Sequence, residues 1–211
     1  MRLKIVQYYT PGYKTGIYSE KINKEYCKLY DIDYFCEKDE KIIQNAIESE
    51  GYTKQWYKIH LIKKELLTNN YDYVIFIDAD AAIVNFNVHI LRFINKAPDK
   101  DLIIGSDMNS RKHHSDPINT GVMIFKNTKW SIEFLEKVWS TANEIHRGIF
   151  RYDLWHEQTI ISILLHFVKS DMEKVHIINY NDDLSLNDPV NRPNKTFIFH
   201  DIDKDKLHNL K

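Results

Sequence analysis

The sequence predicts an α/β fold with a mostly parallel central sheet flanked by helices. Short β-favouring runs alternate with segments of helical period, the pattern of strand–helix–strand units. One of those runs, Tyr73–Ile77, is apolar throughout and too short for a helix, as a strand buried on both faces would be. A length of 211 residues suits one sizeable core, and no linker or internal repeat divides it.

The elements follow in order. Leu3–Tyr9 alternates and reads as the first strand. Thr10-Pro11-Gly12-Tyr13 is turn chemistry, because Pro fixes φ and Gly tolerates positive φ. Ser19 is placed to cap a helix running to about Tyr30. Ile32–Cys36 is a second short strand, and the polar stretch from Glu37 to Thr53 takes no assignment. From Lys54 to about Thr68 a helix is marked on one side by Trp56, Ile59, Ile62, Lys63 and Leu66, and Asn69-Asn70 ends it. After Tyr73–Ile77, strands are expected at Leu102–Gly105, Ile118–Phe125, Val175–Ile178 and Thr196–Phe199. Helices are expected from Ser131 to about Ile145 and from His156 to about Val168. Asn179–Lys195 is expected to be a long polar loop, a length usually reserved for function or disorder.

Composition narrows the function. The formal net charge is −1, with Lys and Arg interspersed among Asp and Glu, so no basic face for nucleic acid is expected. No apolar stretch is long enough for a membrane span or a signal peptide, which reads as a soluble chain in a reducing cytoplasm. Cys27 and Cys36 form no C-x-x-C pair; buried free thiols are the expectation, with a disulfide left open. The closing residues, 205–211, read as an unfinished helix. They point to a single domain over 1–211 that belongs to a longer polypeptide, with further domains covalently attached.

Ligands of open parallel sheets bind beyond the carboxyl ends of the strands. There the sequence places Asp78-Ala79-Asp80, directly after Ile77. Paired carboxylates suit a hard divalent cation such as Mn²⁺ or Mg²⁺. Asp31-Ile32-Asp33, Asp99-Lys100-Asp101, Asp201-Ile202-Asp203 and Asp203-Lys204-Asp205 fit the same pattern. Only Asp78 and Asp80 lie between two apolar segments, where carboxylates are costly unless paired, hydrogen-bonded or metal-bound. His113-His114 looks like a metal pair, but adjacent residues on an extended chain point apart. Residues 108–117 are instead expected to form a mobile acceptor-side loop.

An ordered set completes the reading: Trp56-Tyr57-Lys58, Tyr73 through Asp80 to Asn85, Asn119-Thr120-Gly121-Val122, Glu157-Gln158 and Phe199-His200. This set resembles retaining glycosyltransferases of the GT-A fold, the Rossmann-like nucleotide-diphospho-sugar transferase fold. It is similar to galactosyl- and xylosyltransferases, to the glycogenin-like family and to glycosyltransferase domains of chlorella viruses.

The resemblance implies a UDP-sugar donor, a hexose or deoxyhexose transferred with retention, and a glycan or glycoprotein acceptor. It implies Mn²⁺ or Mg²⁺ held by Asp78, Asp80 and His200, with Asp78 also facing the donor ribose. It puts Asn119 beside donor sugar and acceptor, Glu157 and Gln158 beneath the anomeric carbon, and Lys58 near the donor. It assigns the nucleobase to the loop of Tyr8, Tyr9, Thr10 and Tyr13, with Tyr9 or Tyr13 stacking on uracil. His200 is followed by Asp201-Ile202-Asp203 without the family's Gly-containing turn, so Lys206 or Lys204 is left to reach the diphosphate. The alternatives are a haloacid-dehalogenase-like phosphatase, with Asp182-Asp183 as its downstream acidic pair, and a non-catalytic nucleotide-sugar-binding module. The phosphatase pattern wants Thr or Val where this chain has Ala82.

Overall fold

A computed structural model describes residues 1–48, 52–107, 118–146 and 157–200, with side chains of 143–146 excepted. In chain order the elements are β1 Leu3–Tyr8, α1 Lys14–Leu29, β2 Asp33–Glu37, α2 Glu40–Glu48, α3 Tyr57–Leu67, β3 Tyr73–Ile77, β4 Ala82–Ile83 and α4 Leu91–Ile94. They continue as β5 Leu102–Ser106, β6 Ile118–Lys126, α5 Lys129–His146, α6 Glu157–Phe167, α7 Lys169–Met172, β7 Val175–Ile178, β8 Ser185–Asp188 and β9 Thr196–Phe199.

The main sheet has the order β2-β1-β3-β6-β5-β7. Five of its six strands run one way and β6 runs against them. The fold is therefore the mostly parallel α/β sheet that the sequence predicts. β3 alternates across it: Val74 and Phe76 enter one core with residues of α3, α5 and α6. Tyr73, Ile75 and Ile77 enter another with Tyr26 and Cys27 of α1. That is why the whole run is apolar.

β6 places the site. Its pairing with β5 jumps from Ile104↔Met123 to Gly105↔Asn119, a bulge that takes residues between them out of the β5 ladder. Such irregularities re-aim side chains and recur beside active sites. Because β6 is reversed, its early residues Asn119–Gly121 lie at the rim where β3 ends: Ile77 pairs with Val122, and the Asp78 amide donates to the Gly121 carbonyl at 2.8 Å.

The second sheet, β4-β9-β8, brings in the last described residues. Antiparallel pairing of Ala82 with Phe199 sets His200 beside the Asp78–Asp80 turn. This pairing links two segments 117 positions apart, and on the β8 side the His200 amide donates to the Asp188 carbonyl at 2.9 Å.

Four expectations change. The helix expected from Ser19 begins at Lys14, so Ser19 is no cap; its buried hydroxyl donates to the Ala79 carbonyl at 2.6 Å, and Gln7 Nε2 donates to the Ser19 hydroxyl at 3.2 Å and to the Asp78 carbonyl at 2.9 Å. The unassigned stretch after Glu37 contains α2, opened by Asp39 accepting from the Lys41 amide at 2.9 Å and anchored by buried Ile43 and Ile47. The helix from Lys54 starts as a 3-10 turn, Lys54–Trp56, before α3. The loop Asn179–Lys195 contains β8, whose four residues are all buried. Cys27 and Cys36 are free, Cys27 buried and Cys36 half-buried. No helix among the described residues is long and apolar enough to cross a membrane.

Candidate active site

Asp78 leaves the end of β3, Asp80 follows in the turn, and His200 leaves the end of β9. His200 Nε2 lies 3.2 Å from Asp80 Oδ1 and 3.7 Å from Asp78 Oδ2. One ligand atom from each of the three residues falls within 4.8 Å of the others. Two carboxylate oxygens and an imidazole nitrogen make a donor set that fits Mn²⁺ or Mg²⁺, leaving coordination positions for ligand oxygens.

Gly121 makes room for the histidine. A Cβ at that position would overlap the His200 imidazole at Cε1 and Nδ1 and would press on Asn119 Oδ1. The Asn-Thr-Gly spacing is thus a packing requirement of the site. Asn119 Oδ1 accepts from the Gly121 amide at 2.8 Å.

Lys58 of α3 is 4% exposed, which is exceptional for lysine. Its ammonium lies 3.0 Å from Asp78 Oδ1 and 2.7 Å from Glu157 Oε1, over the face of Phe76. Thr120 bridges to α6, its hydroxyl donating to Glu157 Oε1 at 2.9 Å and its amide to Gln158 Oε1 at 3.1 Å. Glu157 is 2% exposed, and its Oε2 has no hydrogen-bond partner.

Burial and charge oppose each other here. Burial lifts the Asp78 carboxyl above its ordinary range, although Lys58 and His200 pull it down. Burial also works upward on Asp80, but the hydrogen bond and charge of His200 outweigh it and hold Asp80 below the usual range. Burial favours neutral His200, yet Asp80 and Asp78 raise it above an ordinary histidine. Burial likewise works against charged Lys58, and Asp78 and Glu157 overcome it, so the ammonium stays protonated.

A cleft of about 300 Å³ opens over these groups, lined by Lys58, Asp78, Asn119, Glu157, Gln158 and His200 with Gln55, Thr120, Gly121 and Thr159. Six of the residues read from sequence therefore line one cavity, with Asp80 hydrogen-bonded at its edge through His200. The β1 exit is less uniform. The Tyr8 ring packs edge-on against Tyr57, and its hydroxyl donates to the Lys54 and Gln55 carbonyls. Tyr9 is buried on Gly16 with its hydroxyl donating to Glu20 at 2.5 Å. Thr10 is half-buried, and Tyr13 is exposed at the start of α1. Lys204, Lys206, residues 108–117 with His113 and His114, and His156 lie outside the described residues.

Sequence reasoning missed Thr120 and Asn187. Asn187 is buried in β8, and its amide nitrogen donates to Asn119 Oδ1 at 2.7 Å and to His200 Nδ1 at 3.1 Å. A polar residue in a polar stretch carries no sequence signal of burial. The alternating Leu184 and Leu186 beside it were the available hint.

The chain is similar to several known proteins. A family model described as "Protein of unknown function, DUF273" matches residues 16–150. "Probable glycosyltransferase 2" of Oryza sativa subsp. indica is 26% identical over 178 residues, covering 74% of this chain and 34% of its own length; its subsp. japonica counterpart matches equally. The chain thus spans about a third of the length of these curated relatives. Among solved structures, a glycosyltransferase involved in glycosylation of the major capsid of PBCV-1 superimposes with a TM-score of 0.71 at 17% identity, covering 100% of this chain and 99% of that one. The galactosyltransferase LgtC, solved with donor and acceptor sugar analogues, gives a TM-score of 0.59 at 13% identity, covering 93% and 86%. The fold is the GT-A fold of these glycosyltransferases, as the ordered motifs imply.

Proposed function

From the premise that this chain belongs to the DUF273 family and has the GT-A fold, we propose that it is a metal-dependent glycosyltransferase. The donor is a UDP-sugar, the transferred group a hexose or deoxyhexose, and the acceptor a hydroxyl on a glycan or glycoprotein. The observation that carries this reading is the convergence of Asp78, Asp80 and His200 on one point at the rim of a cleft floored by Lys58, Glu157, Gln158 and Asn119.

Asp78, Asp80 and His200 would hold Mn²⁺ or Mg²⁺, which when bound supplies Lewis-acid neutralisation of the leaving diphosphate. Lys58 fixes Asp78 and Glu157 in place through ion pairs at 3.0 and 2.7 Å. Thr120 orients Glu157 and Gln158, and Glu157 or Gln158 stabilises positive charge developing on the sugar. Asn119 orients the incoming acceptor hydroxyl. Uracil falls to the β1 exit, where Tyr13 is exposed and Tyr9 is buried. Transfer with retention remains the reading implied by the resemblance.

The phosphatase alternative needs Asp182 and Asp183 in the site, and neither lines the cleft. A thermal-shift screen of nucleotide sugars, each with and without Mn²⁺, tests the proposal. One UDP-sugar should stabilise the protein only when metal is present. Asp80→Ala and His200→Ala should each lose that dependence; unchanged metal-dependent UDP affinity in both removes the site. Hydrolysis of the stabilising donor to free UDP separates an enzyme from a binding module.

A further inference from the structure

Three backbone carbonyls of the Asp78–Ala81 turn are each taken by a side chain of β1 or α1. Gln7 Nε2 donates to the Asp78 carbonyl at 2.9 Å, the Ser19 hydroxyl to that of Ala79 at 2.6 Å, and Asn23 Nδ2 to that of Ala81 at 3.1 Å. All three side chains are wholly buried, and none of them lines the cleft.

One backbone amide fixes every donor in this network. The Ile83 amide donates to Asn23 Oδ1 at 2.9 Å, so Asn23 turns its nitrogen toward Ala81 and toward Gln7 Oε1 at 3.3 Å. Gln7 Oε1 also accepts from the Tyr34 hydroxyl, which leaves Gln7 Nε2 for the Asp78 carbonyl and the Ser19 hydroxyl. Ser19 accepts that bond and passes its own proton to Ala79. Both hydrogens of the Gln7 amide and both lone-pair positions of its oxygen are used.

The network stands where regular pairing gives out. The β1–β3 ladder ends at Val6↔Phe76, and Gln7 is the next residue of β1. Its side chain meets the Asp78 carbonyl from one side while the Gly121 carbonyl takes the Asp78 amide from the other. Asp80 lies between two held residues, Ala79 and Ala81.

We infer that Gln7, Ser19 and Asn23 are the positioning residues of the metal-binding turn: they fix its backbone, and with it the directions of the Asp78 and Asp80 carboxylates, before a cation arrives. The inference rests on the proposed metal site and adds to it the residues that preorganise it. Ligands already held in place lose less freedom on binding, which strengthens affinity.

The test reads Mn²⁺ binding by electron paramagnetic resonance, with and without UDP, beside urea unfolding of the metal-free protein. Ser19→Ala removes the donor to Ala79, and Gln7→Met keeps the chain length while removing the donor to Asp78. Each should weaken Mn²⁺ binding roughly tenfold, the lower end of the effect for outer partners of metal ligands. Tyr26→Phe is the control. Tyr26 is buried on the same helix, but its hydroxyl bonds Val88 and Ile90 and not the turn. This variant should lose stability and keep wild-type Mn²⁺ affinity. Ser19→Ala, the smaller change, decides the matter should Gln7→Met not fold. Wild-type Mn²⁺ affinity in Ser19→Ala overturns the inference. So does an equal loss of affinity in Tyr26→Phe, which would trace the effect to general stability. Wild-type protein that binds no Mn²⁺ defeats the metal reading and this inference with it, whereas unchanged variants beside a binding wild type defeat the inference alone.

Discussion

Lys58 and Glu157 form a buried ion pair at 2.7 Å that joins α3 to α6 beneath the cleft. Neither side chain is more than 5% exposed. Removing one member strands the other charge in a low-dielectric site, at a cost of about 3–5 kcal/mol. Lys58→Met should therefore lower the melting temperature by roughly 6–20 °C for a chain of this size. Adding Glu157→Gln to Lys58→Met should recover part of the loss, because the stranded carboxylate is gone. Additive losses in that cycle, measured by calorimetry, would show the pair to be uncoupled.

Gly121→Ala tests the packing that seats His200. The new methyl occupies the space of the imidazole, so the ring must leave Asp80. We expect Mn²⁺ binding to weaken at least tenfold while far-ultraviolet circular dichroism stays that of the wild type. Wild-type Mn²⁺ affinity in this variant would mean that His200 is not needed at the rim.

Asp188 is wholly buried and accepts from Arg192 Nε at 2.7 Å, from the hydroxyls of Ser185 and Thr196, and from the Val190 amide. Asp188→Ala leaves these donors unsatisfied and should destabilise the protein by about 3–5 kcal/mol. The backbone carbonyl of residue 188, which accepts from the His200 amide, is kept in this variant, so Mn²⁺ affinity of the folded protein should stay near the wild-type value. Urea unfolding alongside Mn²⁺ titration checks both.

Glu20 sets an acid limit. Burial works to raise its carboxyl, but hydrogen bonds from Lys24, Tyr9 and Lys38 outweigh burial and hold it below the usual range. A depressed carboxyl contributes stability that is fully present above its unfolded value and lost as pH falls through its folded value. Glu20→Gln should therefore be less stable than wild type at pH 7, by roughly 1–3 kcal/mol. The gap should close in the acid range below the ordinary glutamate value. A gap that stays constant down to pH 3, read by denaturant titration, would contradict this assignment.

Much of this arrangement was legible in the sequence because hydrophobic period and chain order carry it. β3 stood out as an unbroken apolar run, and Asp78-Ala79-Asp80 stood out by following it. Lys58 was legible only through the ordered set of motifs, because a lone lysine on a helix reads as solvated. Glu20, Ser19, Asn187 and Asp188 were not legible. Each is a polar residue buried by a tertiary hydrogen bond, and sequence pattern assigns such residues to solvent. β4 was missed for another reason, since two residues are too few to show any period.

The reversal of β6 reaches beyond catalysis. Ser106 and Ile118 are register partners, so the backbone departs from the sheet and returns to it at neighbouring points beside the cleft. Closing a longer connection between fixed ends adds only ~0.6 kcal/mol per doubling of its length. A change in the number of residues between those two fixed ends therefore costs little, and every hydrogen bond of the sheet below stays as it was.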